Sequence, residues 1–294
     1  MSETQPKDSI LHISDLHFWE VVWNPLRLMN KRMLGNLNVY WRRRHEFVMH
    51  RAEEFADNAA GTGIRTVVMT GDFTSTATEA EFDMGRAFVE GLVHRGLKVI
   101  LMPGNHDVYT FQSVRQRRFQ HFFGEFLPDN GFPHRFTLPG GTSLIVVPTV
   151  TANFLSSKGR IRRREVRETA ALIEECGEGP ILVAGHYPVL HHTYNYTTSK
   201  SRQLRNAELL RHALGESGRD ILYLAGHVHR FSYVRDADYP ALRHLTTPAF
   251  FLEHKQEALL GAFAEIHVED GEIHVYQHRH TQTWERAPHI AQPG

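Results

Sequence analysis

Five times along this chain an apolar run stops at a glycine or serine and a metal-ligating side chain follows at once. The runs Ile10–Ser14, Val67–Gly71, Val99–Gly104, Ile181–Gly185 and Ile221–Gly226 lead into Asp15 and His17, Asp72, Asn105 and His106, His186, and His227 and His229. Runs of this length, rich in Ile, Val and Leu, read as buried strands. Side chains placed just past neighbouring strand ends converge on one edge of a sheet, where open α/β sheets put their sites. In a chain with 21 histidines any single one of these residues reads as an ordinary core, surface or turn residue. Their joint placement marks a metal site.

Helical patterns fill the spaces between the strands. Arg42–Ala60, Glu79–His94, Phe111–Phe123, Arg164–Glu175 and Gln203–Leu214 carry apolar residues at near-helical spacing, and Ser143–Pro148 reads as a further strand. This alternation predicts an α/β layered fold. The tail differs: Gly261–Val268 and Glu272–His278 alternate as strands around Asp270-Gly271, a strong hairpin turn. With no fixed-period repeat and no linker, the expectation is a single domain over 1–294, carrying an insert at 18–44 and a C-terminal hairpin at 261–278.

Composition narrows the function classes. Of 294 residues 41% are hydrophobic, enough for a sizeable core. Lys+Arg and Asp+Glu both number 33, so no nucleic-acid partner is expected. Cys176 is the single cysteine, which excludes an intrachain disulfide and fits a reducing compartment. Met1–Asp8 is polar, and no apolar stretch approaches the ~18 residues of a membrane span. A cytoplasmic location follows as the expectation.

A ligand set of carboxylate, imidazole and carboxamide, with no thiolate nearby, suits Mn²⁺, Fe²⁺ or Zn²⁺, with Mn²⁺ the first choice. Asp15, His17, Asp72, Asn105, His186, His227 and His229 make seven candidates, more than one ion needs. Seven suggests two divalent ions sharing a carboxylate, a pairing that clamps phosphoryl oxygens and offsets the charge of an in-line displacement. Asp72, alone at its strand end, is the natural bridge.

The blocks Asp15-Leu16-His17, Gly71-Asp72, Gly104-Asn105-His106-Asp107, Gly185-His186 and Gly226-His227-Val228-His229 resemble, in order and spacing, the metallophosphoesterases of the calcineurin-like superfamily. The resemblance implies a four-layer α/β/β/α sandwich with a dinuclear centre. It places one metal on Asp15, His17, Asp72 and His229, and the other on Asp72, Asn105, His186 and His227. It makes His106 a catalytic imidazole outside the ligand shell, with Asp107 orienting or polarising it. A metal-free binding scaffold of the same fold is the competing class; such proteins lack ligands, and here none is missing.

Departures narrow the branch. No basic residue follows Asp72 closely, unlike the protein Ser/Thr phosphatases, and Ser75 stands where purple acid phosphatases place a tyrosine. Small bacterial-type phosphodiesterases and pyrophosphohydrolases remain. The insert at 18–44 holds Trp19 and Trp23 and runs into Arg42-Arg43-Arg44. Its aromatic, Leu-rich and basic character suits a lipid-phosphate interface or, more plainly, a helical hairpin packed on the core. A second basic run, Arg160, Arg162, Arg163 and Arg164, suits an anionic substrate. The insert is similar to the branch that hydrolyses UDP-2,3-diacylglucosamine to diacylglucosamine 1-phosphate and UMP in lipid A biosynthesis. The expected partner is therefore a phosphodiester or nucleotide-sugar substrate, with peripheral contact through 18–44 on the inner face of the membrane. A 3′,5′-cyclic nucleotide phosphodiesterase is the alternative.

Overall fold

The computed structural model describes residues 8–20, 52–153, 156–254, 259–281 and 283–294. In chain order the main strands are β1 (Asp8–Ile13), β2 (Thr66–Met69), β3 (Lys98–Leu101), β4 (His134–Thr137), β5 (Ser143–Val146), β6 (Ile181–Ala184), β7 (Ile221–Ala225), β8 (Ser232–Arg235), β9 (Leu242–Thr246), β10 (Leu259–Glu269), β11 (Glu272–His280) and β12 (Trp284–His289). The helices are α1 (Ala52–Gly61), α2 (Glu79–His94), α3 (Phe111–Arg115), α4 (Arg118–Phe123), α5 (Arg163–Glu174) and α6 (Ala207–Glu216).

One sheet has the order β12-β11-β10-β1-β2-β3, the other β8-β9-β7-β6-β5-β4. Within them β1, β2 and β3 are parallel, as are β5, β6, β7 and β9. Successive side chains of a strand point to opposite faces. Leu11 and Ile13 accordingly pack with Phe55 of α1 and Phe82 and Phe88 of α2, while Ile10 meets Leu182, Leu222 and Leu245 of the other sheet. A third core joins Ile181, Val183 and Ile221 to Ile173 of α5 and Leu210 and Leu214 of α6. The result is four layers, α/β/β/α. Both sheets are covered on both faces over their parallel strands, which is why those strands read as continuous apolar runs.

Thr78 caps α2: its hydroxyl accepts from Glu81 N and the Glu81 carboxylate accepts from Thr78 N. The segment expected as one helix over Phe111–Phe123 is instead two, broken where Arg117 takes a left-handed φ of 49°. The helix expected from Gln203 starts only at Ala207. Leu204–Arg205 first pair with Gly159–Arg160, and Asn206, at φ 66°, turns the chain while its amide donates to Ile161 O at 2.8 Å. Asp270 and Gly271, at φ 52° and 79°, form the turn between β10 and β11. Residues 21–44 of the insert, and Arg42–Arg51 of the first expected helix, lie outside the described residues. No helix among the described residues is long and apolar enough to cross a membrane.

Candidate metal centre

The C-terminal ends of β1, β2, β3, β6 and β7 deliver the seven side chains. Asp15, His17, Asp72, His227 and His229 all have left-handed backbones, with φ of 55°, 52°, 58°, 67° and 55°. Such a conformation costs a non-glycine residue about 1–3 kcal/mol, and Asp and His tolerate it better than branched residues do. It turns the chain sharply at the strand end, so that both members of a near-neighbour pair such as Asp15 and His17 reach the same edge. The loops after β1 and β2 are fastened together by Asp15 N to Gly71 O at 2.9 Å, His17 N to Asp72 O at 2.8 Å and Phe18 N to Phe73 O at 2.8 Å. Gly104 lies so close to Asp72, and Gly226 so close to Ser14 and Asp15, that neither position has space for a Cβ. These glycines permit close approach of backbones, beyond acting as hinges.

Backbone carbonyls set the imidazoles. His17 Nδ1 faces Thr74 O at 3.3 Å, His186 Nδ1 faces Thr70 O at 2.8 Å, His106 Nδ1 faces Ser75 O at 2.6 Å, and His227 Nε2 faces Arg202 O at 2.9 Å. A carbonyl only accepts, so each of these nitrogens carries the proton and the other presents a lone pair. The free nitrogens converge on acceptors. His17 Nε2 is 3.0 Å from His229 Nε2, while Asn105 Oδ1 is 3.1 Å from His186 Nε2 and 2.8 Å from His227 Nδ1. Asp15 Oδ2 accepts from His227 N at 2.8 Å, whereas Asp15 Oδ1 is buried, has no donor, and lies 3.2 Å from His229 Nε2. Asp72 Oδ2 is 3.8 Å from His17 Nε2 and 3.5 Å from His186 Nε2, between the two groups.

The lone pairs of His186 Nε2 and His227 Nδ1 face Asn105 Oδ1, and acceptors at these distances repel one another unless a cation lies among them. The donor set therefore fits divalent metal ions. Donor atoms of Asp15, His17 and His229, of His17, Asp72 and His106, and of Asp15, Asp72 and His186 lie within 4.8 Å of one another in each trio. Burial lowers the pKa of His186 and lowers that of His227 strongly, so both stay neutral, the ligating state. Burial would raise Asp15, but the His229 and His186 imidazoles and the Ser14 hydroxyl outweigh it and hold the carboxyl below the usual range. The centre opens to solvent at His229, whose side chain is 26% exposed.

His106 stacks on Tyr109, with ring centroids 5.2 Å apart and planes 13° apart. Asp107 is bonded to the loops around His106. Its carboxylate accepts from Gly104 N at 2.8 Å, Phe73 N at 3.2 Å, Thr74 N at 2.9 Å and Thr74 Oγ1 at 3.0 Å. It staples the loop after β2 to the loop after β3, and Ser75 O takes the place beside His106 Nδ1. Of the basic run, Arg162 pairs with Glu165 at 3.0 Å and Arg164 with Glu168 at 2.6 Å on the exposed start of α5, beside an exposed Arg163. Arg160 is exposed on the two-residue strand paired with Leu204–Arg205. Trp19 packs partly buried on the α1/α2 core, and Trp23 lies outside the described residues. The sequence reading missed the carbonyls of Thr70, Thr74, Ser75 and Arg202. It also missed Tyr187, whose ring lies 4.1 Å from that of His227.

Residues 9–231 match the calcineurin-like phosphoesterase family. The chain belongs to this family: it is a metal-dependent hydrolase with a dinuclear metal-binding phosphoesterase centre. Its fold is similar to that of a dimetal phosphatase from Danio rerio (TM-score 0.62, 14% identity, covering 97% of this chain and 100% of the other). It is also similar to the purple acid phosphatase PPD1 from yellow lupin (Lupinus luteus) seeds (TM-score 0.60, 8% identity, covering 98% and 54%). At these identities the likeness is one of fold. No protein of curated function matches the sequence.

Proposed function

We propose that the centre hydrolyses a phosphodiester or pyrophosphate bond, and that the substrate is a lipid-linked sugar nucleotide of the UDP-2,3-diacylglucosamine kind. The products would be diacylglucosamine 1-phosphate and UMP. The observation that carries the reaction type is the pair of acceptor groups meeting at Asp72. Asp15, His17, Asp72 and His229 would hold one divalent ion, and Asp72, Asn105, His186 and His227 the other, with Mn²⁺ the first choice and Fe²⁺ or Zn²⁺ the others. When bound, two such ions supply Lewis-acid charge to phosphoryl oxygens and acidify water.

The protein's own residues do the rest. Carbonyls of Thr74, Thr70 and Arg202 keep three imidazoles in one tautomer. With Nδ1 of His106 protonated against Ser75 O, Nε2 is the atom that would take up a proton, making the ring an imidazolium, and then pass it to the leaving oxygen. An apolar cavity of about 410 Å³ between α1 and α2 supports a substrate with a hydrocarbon part. Its lining includes Phe18, the residue after His17, with Ala56, Met84 and Phe88. The aromatic and basic composition of 18–44 supports the same reading and peripheral contact with the inner face of a membrane.

Side-by-side assays with Mn²⁺ test this. UMP release from UDP-2,3-diacylglucosamine, abolished by chelator, is the expected result. Opening of 3′,5′-cyclic AMP in its place would make the protein a cyclic nucleotide phosphodiesterase. No turnover of either substrate, or of bis-p-nitrophenyl phosphate, would overturn the reaction type.

A further inference from the structure

The turn Lys200–Arg202 braces the metal centre from outside. The Arg202 carbonyl accepts from His227 Nε2 at 2.9 Å and so fixes which nitrogen of His227 points inward. The Arg202 amide donates to Ser199 O at 2.8 Å. On either side, Ser157 N donates to Ser201 O at 3.1 Å and Gly159 N to Gln203 O at 3.2 Å. Leu204 is buried, and Tyr187, lying against His227, donates its hydroxyl to Ser157 O at 2.6 Å. The main chain of Arg202 is thus held against the centre while its side chain is exposed.

That side chain is uncommitted. Arg162 and Arg164 are occupied by Glu165 and Glu168, and Arg211 by Asp236 and Asp238. Among the described residues no carboxylate pairs with the Arg202 guanidinium.

We propose that Arg202 is a specificity-determining residue that binds the second phosphate of a pyrophosphate substrate, the one beside the phosphorus under attack. The proposal rests on the hydrolase reading above and narrows it to pyrophosphates. His227 presents Nδ1 to Asn105 and Nε2 to Arg202, so Arg202 stands one imidazole ring outward from the ligand atoms. That offset suits a neighbouring phosphate better than the attacked one. A guanidinium fork matches two phosphoryl oxygens, which a lysine meets only as a point charge. Because the main chain serves His227 and the side chain serves the substrate, the side chain can be changed while the carbonyl stays.

UDP and UMP differ by one phosphate and can be compared as competitive inhibitors of bis-p-nitrophenyl phosphate hydrolysis with Mn²⁺. In Arg202→Gln the ratio of the UDP to the UMP inhibition constant should rise roughly 10- to 100-fold, the scale of a lost charge-assisted pair. Arg202→Lys should recover part of that change, with metal content near wild type in both variants. An unchanged ratio in Arg202→Gln would overturn the proposal, as would equal weakening of UDP and UMP. If wild type fails to hydrolyse bis-p-nitrophenyl phosphate, the hydrolase reading fails. Calorimetric titration with UDP and UMP then still reads the ratio.

Discussion

The Nε2 atoms of His17 and His229 stand 3.0 Å apart, with Asp15 Oδ1 3.2 Å from the second. Thr74 O holds the other nitrogen of His17, so its inward lone pair stands beside the carboxylates of Asp15 and Asp72, where a bound cation would be shared by all three. Metal should therefore stabilise the fold. Mn²⁺ at about 100 times its Kd should add about 2.7 kcal/mol, a rise of several degrees in Tm, reversed by EDTA. His229→Ala should shrink the rise. A Tm indifferent to Mn²⁺ in the wild-type protein would refute the cation reading of this cluster.

Asp72 joins the two ligand groups through Oδ2, while Oδ1 accepts from His106 N at 2.7 Å. Asp72→Asn keeps the volume but removes the charge that two ions would share. Turnover of bis-p-nitrophenyl phosphate should fall at least ~100-fold and elemental analysis should show less bound metal, given that even indirect supports of a metal site cost 10–100-fold. Wild-type activity with two ions bound would remove Asp72 from the centre.

His106 lies within ligand range of His17 and Asp72, yet it is held at Nδ1 by a carbonyl and stacked on Tyr109. As a proton donor to the leaving group, its loss in His106→Ala should slow kcat ~10²–10⁴-fold with metal retained. Loss of metal in that variant would make it a ligand.

Much of this centre was legible because ligation needs particular side chains at particular strand ends, and apolar runs broken by Gly71, Gly104, Gly185 and Gly226 display those ends. What orients the ligands was not legible. The carbonyls of Thr70, Thr74, Ser75 and Arg202 are atoms every residue has, so only their positions distinguish them. The outer strands were hidden for a different reason. Trp284–His289, at a sheet edge, reads Trp-Glu-Arg-Ala-Pro-His, and its side chains, three exposed and three half-buried, leave no apolar run to read. Leu204–Arg205 were read as helical because Leu204, Ala207, Leu210 and Leu214 follow one another at helical steps of three and four, a pattern that Asn206 interrupts with its left-handed turn.

Asp107 shows how contacts can give a motif residue a further role. If it served only to polarise His106, Asp107→Asn would slow catalysis and leave Tm alone. Its four donors on Gly104, Phe73 and Thr74 predict otherwise. An amide keeps one accepting oxygen and brings an N–H toward donors, so about 2–3 kcal/mol of stability should be lost along with activity. A variant with wild-type Tm would return Asp107 to the polarising role.

Glu265 of β10, paired in register with Leu11 of β1, ties the three C-terminal strands together beside the strand that leads into Asp15 and His17. Its carboxylate accepts from His278 Nε2 at 2.6 Å and Arg286 Nη2 at 2.7 Å, and also from His267 Nε2. Burial alone would raise its pKa, but these three partners hold it far below the usual carboxylate range. A depressed folded pKa means the unfolded chain takes up the proton first as pH falls. Stability from this group is therefore complete above the unfolded value of ~4.3 and is lost progressively as pH drops below it. Glu265→Gln leaves two imidazoles and a guanidinium without their carboxylate, and should cost about 3 kcal/mol at pH 7 by denaturant unfolding. The gap between wild type and variant should narrow when the unfolding is repeated near pH 3. A gap of the same size at both pH values would show that Glu265 holds the hairpin and β12 by packing, not by charge.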